Sequence, residues 1–204
     1  MRRTLRLFDD SRNGGSSDLA ESVRSDARRN REKLLEVATA AFADADGRPV
    51  SLESIARDAG VGIGTLYRHF PNREALVEAI FRTEIAEVAA AAERLLKRHP
   101  PKAALRRWMD RYASFVAAKR GMAESLHAMF DSGAMQPSQT RDSIAGAVDL
   151  LLRAGAGDGS LRSDVQADDV VSSLIGIFLA SGSPEQTGRL LDLLVDGIAT
   201  SGIN

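Results

Sequence analysis

No cysteine occurs in the 204 residues. That excludes a disulfide framework, a thiol nucleophile, an iron–sulfur cluster and a cysteine-type zinc site. Histidine is almost as scarce: His69, His99 and His127 lie far apart, without metal-ligand spacing, so no metal and no cofactor are expected. Long apolar runs are missing too. Leu174 to Ala180 falls far short of the roughly 20 residues a bilayer span needs, so no membrane partner is expected. Arg2, Arg3 and Arg6 have no apolar segment behind them, and a cytoplasmic location is the expectation. A glycine-rich phosphate loop, a nucleophile elbow and a carboxylate–histidine metal motif are all absent, so no catalytic residue is assigned. Ser125, His127 and Asp131 are close in sequence, but one helix does not supply the geometry of a triad. An enzyme is not expected.

What remains is an ordinary globular composition, 44% apolar and 27% charged, with 27 basic and 28 acidic side chains. The near-zero net charge hides an asymmetry. Residues 94–120 carry nine basic residues and one acid, Asp110, whereas residues 124–204 carry four basic and eleven acidic ones. Such blocks mark solvated helix faces or complementary surfaces within one fold.

Strand-type alternation is absent, and the expectation is an all-α chain of about nine helices. Residues 1–24, centred on Gly14-Gly15-Ser16-Ser17, read as a flexible tail. Leu34, Leu35, Ala38, Ala41 and Phe42 recur at spacings of three and four and predict a helix over 27–45. Ser51 should cap a short helix ending at Gly60, and a second short helix covers Ile63–His69. Asn72 is positioned to cap a long helix over 73–98, about 39 Å at ~1.5 Å per residue, enough to connect two domains. Further helices are expected over 105–119, 122–132, 138–154, 168–181 and 185–200, with a loop at Gly155-Ala156-Gly157-Asp158-Gly159. The domains are then 25–72 and 73–204, with helix 73–98 connecting them.

Residues 51–70, SLESIARDAGVGIGTLYRHF, carry the clearest mechanism. Ala56, then Gly60 and Val61, fit a helix-turn-helix: a small residue where two helices cross, a glycine at a sharp turn, and an aliphatic plug. Leu66 and Phe70 define the inward face of the second helix. Gly64 and Arg68 then lie opposite, flanked by Thr65 and Tyr67, on a polar face without bulk at Gly64. Arginine there pairs with guanine or phosphate, and Thr65 and Tyr67 donate to phosphate oxygens.

With its flanks, RNREKLLEVATAAF before it and PNREALVEAIF (71–81) after it, this stretch resembles the tetracycline-repressor family of bacterial transcriptional regulators. The resemblance implies a three-helix DNA-binding domain whose third helix enters the major groove of a double-stranded operator. It also implies a C-terminal helical domain that dimerises and binds a small-molecule effector, unidentified here. By position in the motif, Ser51 should cap its helix against a phosphate, and Gly64, Thr65 and Arg68 should face bases. Tyr67, His69 and Arg73 should hold the DNA backbone. Pro71 stands where that loop often has Lys, leaving Arg73 to supply the contact.

Arg28 and Arg29, leading into the fold, are candidates for reaching DNA, with Arg28 as the expected contact. Trp108, Tyr112, Phe115, Met122, Leu126 and Phe130 form an aromatic and methionine-rich set suited to an apolar or amphipathic effector. Arg106, Arg107 and Arg111 leave room for an anionic group. Residues 168–200 are apolar over more than one stripe, so Leu174, Gly176, Phe178, Ala180, Leu190, Leu194 and Ile198 are expected at a homodimer interface. The expected function is a dimeric repressor released by its effector. An activator or architectural DNA-binding protein without an effector is the alternative.

Overall fold

The computed structural model describes residues 14–45, 48–119 and 137–200. These form eight helices: α1 (Gly14–Asp44), α2 (Leu52–Asp58), α3 (Ile63–His69), α4 (Arg73–Leu96), α5 (Pro101–Ala118), α6 (Pro137–Gly157), α7 (Ala167–Ala180) and α8 (Pro184–Ile198). The only β pairing among them is an isolated bridge, Leu161 to Ala199. The helix expected over 122–132 lies outside the described residues, as do Met122, Leu126 and Phe130.

Three boundaries differ from expectation. The first helix begins at Gly14, and residues 14–24, read as tail, are helical. Helical hydrogen bonds close within the segment whether or not it has a buried face. The described side chains ahead of Leu34 are all exposed or half-exposed, so no apolar period announces this extension. Helix α5 starts at Pro101 rather than Leu105, because a proline in the first turn lacks only an N–H that would have had no helical partner. Helix α6 continues through Gly155 and Gly157.

Helices α1–α3 form a compact unit around Leu34, Ala38, Phe42, Ile55, Leu66 and Phe70, all buried. Among the described elements α4 alone packs extensively on both this unit and the rest, with its largest contacts to α6 and α5. Its 24 residues make a rod of about 36 Å. At one end Asn72 caps it, Oδ1 accepting from the Ala75 N–H at 2.8 Å. Toward the other end Trp108 of α5, fully buried, donates its indole N–H to the Val88 carbonyl of α4 at 2.8 Å. From Trp108 a column of rings runs along α5: Trp108 stacks on Tyr112 at 5.6 Å, and Tyr112 on Phe115 at 6.1 Å.

Polar clamps fix the outer helices. Arg106 of α5 reaches Asp192 (2.6 Å) and the Gly188 carbonyl (3.3 Å) of α8. Arg141 of α6 holds Asp168 (3.0 Å) and Ser172 (3.0 Å) of α7. Exposed pairs of this kind contribute about 0–1 kcal/mol each, so they set register more than stability.

The end of α6 depends on glycine. Gly159 adopts φ +77°, the chain reverses, and the Leu161 N–H returns to the Gly155 carbonyl at 3.0 Å. The buried Leu161 side chain then lies directly on the Gly155 Cα. A methyl group at 155 would collide with Leu161 Cγ and Cδ1 and come within 2.8 Å of its Cβ. Gly155→Ala should therefore lower stability by about 1–3 kcal/mol, the usual cost of overpacking, despite alanine's better helix propensity. Chemical denaturation measures this; a more stable variant would contradict the account.

Candidate nucleic-acid interface

Each feature of the 51–70 motif has its physical counterpart. Ser51 accepts from the Ser54 N–H (3.3 Å) and donates to Glu53 (2.7 Å), closing the first turn of α2. That hydrogen bond holds the Glu53 carboxyl below the usual carboxylate range. Ala56 is 2% exposed where α2 meets α3. Gly60 takes φ +68°, and the Val61 N–H bonds back to the Ala56 carbonyl at 2.9 Å. Leu66 and Phe70 are buried.

The opposite face of α3 is open. Gly64, Tyr67 and Arg68 are exposed, and Thr65 and His69 are half-buried. Arg68 has no ion-pair partner among the described residues, so its guanidinium is free to meet an external acceptor. A methyl group built on Gly64 meets nothing within 4 Å, so the protein's own packing does not require glycine there. Ile63, not singled out from the sequence, is also exposed. Helical period places it beside Leu66, but as the first residue of α3 it has no preceding turn to cover it. An apolar side chain there suits a thymine methyl.

Two basic residues behave differently from one another. Arg28 is 73% exposed, with only a loose 4.0 Å approach to Glu32, and stays available. Arg73, expected at the DNA backbone, is turned into the domain: it donates to the Val50 carbonyl at 2.6 Å and stacks over Phe42 at 4.9 Å. It ties the start of α4 to the reading unit.

The regulatory half departs further from expectation. Trp108, Tyr112 and Phe115 are buried, 0–7% exposed, and packed on one another, while the other three expected lining residues lie outside the described residues. A cleft of about 640 Å³ lies between α5, α7 and α8, with Phe178 in its wall. Phe178 meets Tyr112 edge-on at 5.4 Å, so cleft and ring column share this side chain. Arg106 is committed to carboxylates and does not offer an anion site. Lys119 is the cation that sequence reasoning left among surface charges. Its Nζ sits 4.2 and 4.0 Å from the Phe81 and Phe115 ring centres, and burial lowers its pKa to about 8.

On α7 and α8, Leu174 and Ile198 belong to the protomer's own core, at 0% and 4% exposure, and not to its surface. Phe178, Leu190 and Leu194 are half-buried, while Gly176 and Ala180 are exposed. The large apolar residues left in solvent are Leu179 (83% exposed), Leu193 (69%) and Ile175. None of these three was an expected contact, because a helix apolar on several stripes does not reveal its outward one.

Comparison with known proteins agrees with this geometry. Residues 34–80 match the family model described as bacterial regulatory proteins, tetR family. Residues 100–200 match that of the SbtR-like transcriptional regulator C-terminal domain. The TetR transcriptional regulator SCO0520 of Streptomyces coelicolor is similar in structure, with TM-score 0.74 and 42% identity over 84% of this chain and 99% of that one. The chain belongs to the TetR family of transcriptional regulators. A second TetR regulator, from Mycobacterium vanbaalenii, is 31% identical with TM-score 0.68, covering 87% of this chain and 99% of that one. A curated HTH-type transcriptional regulator of Staphylococcus aureus strain USA300 is 33% identical over 63 residues, 31% of this chain and only 34% of that protein. In this TetR-family member, then, the helix-turn-helix of α2 and α3 lies within the matched DNA-binding region, residues 34–80. No helix among the described residues is long and apolar enough to cross a membrane.

Gly64 yields a prediction with opposite signs. Glycine inside a helix costs about 0.5–1 kcal/mol relative to alanine, so Gly64→Ala should raise thermal stability slightly. It should at the same time weaken DNA binding, because the added methyl stands where the backbone approaches the groove. Arg68→Ala should cost about 1–3 kcal/mol selectively, flattening base preference at one operator position. Equal losses on every base variant would make Arg68 a phosphate contact only.

Proposed function

We propose that this TetR-family protein is a repressor that binds a near-palindromic operator as a homodimer and is released by a small apolar or amphipathic effector, acting in the cytoplasm. The reading is supported by one pairing within the chain: an unpartnered reading face on α3, and an uncovered apolar face on α7 and α8. Leu179, Leu193 and Ile175 on neighbouring helices are costly to leave in water, and a second copy of the same face covers them isologously. Two-fold symmetry then presents two copies of α3 to successive major grooves, about 34 Å apart. Gly64, Thr65 and Arg68, with Ile63, meet base edges. Ser51, Tyr67, His69 and Arg28 hold phosphates.

Release requires a ligand that binds one arrangement of the dimer more tightly than the other, since equal affinity shifts nothing. The route we favour runs from the cleft through Phe178 to Tyr112 and Trp108, whose indole N–H grips α4. Helix α4 carries the displacement to Arg73 and the reading unit.

Gly176 tests the assembly cleanly. It is exposed, and a side chain there meets nothing within 4 Å in the protomer. Gly176→Arg should keep its helical content and melting temperature per protomer while sedimenting as a monomer, and should lose affinity for a palindromic site far more than for a half-site. A variant that remains a stable dimer would place the interface elsewhere.

A further inference from the structure

The cleft between α5, α7 and α8 has a chemical polarity of its own. Its body is apolar: Val116 and Ala117 of α5 face Phe178 of α7 and Leu191 of α8. Its polar side chains are hydroxyls and one carboxylate, and three of the hydroxyl protons are already placed. Ser114 donates to the Asp110 carbonyl (3.0 Å), Ser181 to the Ile177 carbonyl (2.5 Å), and Thr187 to the Ser183 carbonyl (3.1 Å). Ser183 accepts from the Gln186 N–H on its hydroxyl oxygen at 3.2 Å. The Glu185 backbone N–H and that hydroxyl together hold the Glu185 carboxyl below the usual range. What Ser114, Ser181 and Thr187 offer an incoming molecule is lone pairs.

The start of α8 adds little pull on an anion. Pro184 has no N–H, the Gln186 N–H is capped, and the Thr187 N–H bonds the Ser183 carbonyl at 3.0 Å. Arg106, whose partners Asp110 and Gly188 line the cleft, has three of its five N–H groups engaged: Nε on Asp192, and one on each of the other nitrogens to Asp110 and the Gly188 carbonyl. One guanidinium between two carboxylates leaves the neighbourhood net negative. Asp110 gives one oxygen to Arg106; its other oxygen has no partner among the described residues.

We infer that this cleft binds a hydrophobic amine, its ammonium on Asp110 and the hydroxyl oxygens, its apolar body against Phe178 and Leu191. About 640 Å³ accommodates a drug-sized molecule. The assignment rests on the effector-released reading given above and narrows its ligand class, since a carboxylate of the same shape would meet the Asp110 carboxylate and a lining made mostly of acceptors.

Three probes with one apolar body test it: 4-phenylbutylamine, 4-phenylbutanol and 4-phenylbutanoate, titrated calorimetrically into the full chain at neutral pH. The amine should bind about three- to fivefold more tightly than the alcohol, as one ion pair to a part-exposed carboxylate allows, and the acid most weakly. Asp110→Asn should remove the amine's advantage while leaving the alcohol unchanged; Arg106 keeps Asp192, so the α5–α8 clamp survives. Ala117→Trp, an exposed position on the cleft wall, should abolish binding of all three. Acid binding equal to amine binding, or an amine preference that survives Asp110→Asn, would overturn the inference, as would full binding by Ala117→Trp. Operator binding by the ligand-free protein is measured separately: its absence would contradict the repressor reading and leave the amine titration standing.

Discussion

A buried hydrogen bond, from the Trp108 indole to the Val88 carbonyl, sets α5 against the helix that joins the two halves of this protein. Tryptophan is apolar over most of its surface and must satisfy one N–H when buried, so its orientation is set by where an acceptor lies. Here the acceptor is a carbonyl of α4. Net of solvent exchange the bond contributes about 0.5–1.5 kcal/mol, and the buried ring contributes more through packing. Its consequence is geometric. It registers α5 against α4, and α5 carries the ring column, the cleft wall and the Arg106 clamp to α8.

At the far end of α4, Arg73 does the corresponding work. Its guanidinium bonds the Val50 carbonyl and lies over Phe42, so the helix is attached to the reading unit by a side chain rather than by chain continuity alone. A rod held at both ends has few ways to absorb a shift in the regulatory core except by moving the reading unit. This arrangement also explains why the reading face is left polar and uncommitted: Arg73 holds the fold, while Arg68 and Gly64 remain free.

The reading unit was largely legible in the sequence because its determinants are local. Ser51, Gly60, Leu66, Phe70 and Asn72 each answer to a cap, a turn or a helical period within a few residues. The resemblance of residues 29–42 and 51–81 to a known family pointed to the same unit. Where long-range packing decides, the sequence was less informative. Nothing local distinguishes an arginine that stacks on Phe42 from one that meets a phosphate. The aromatic residues of α5 did not reveal their packing on one another, because a packed column and a pocket wall use the same side chains. On α7 and α8, core-facing Leu174 and Ile198 and solvent-facing Leu179 and Leu193 share one composition. Only the positions of neighbouring helices separate them.

The central claim is that the Trp108–α4 contact sets the spacing of the two reading units in the proposed dimer. The absence of native cysteine makes the test direct: an exposed α2 position, Arg57→Cys, takes a single spin label per protomer. Pulsed electron–electron double resonance then reads the separation of the two DNA-binding units, with and without Trp108→Phe, which keeps one aromatic ring but removes the N–H and the rest of the indole. The account predicts one narrow distance peak in the parent and a shifted or broadened one after Trp108→Phe, with the dimer intact by sedimentation. An unchanged distance distribution would contradict it.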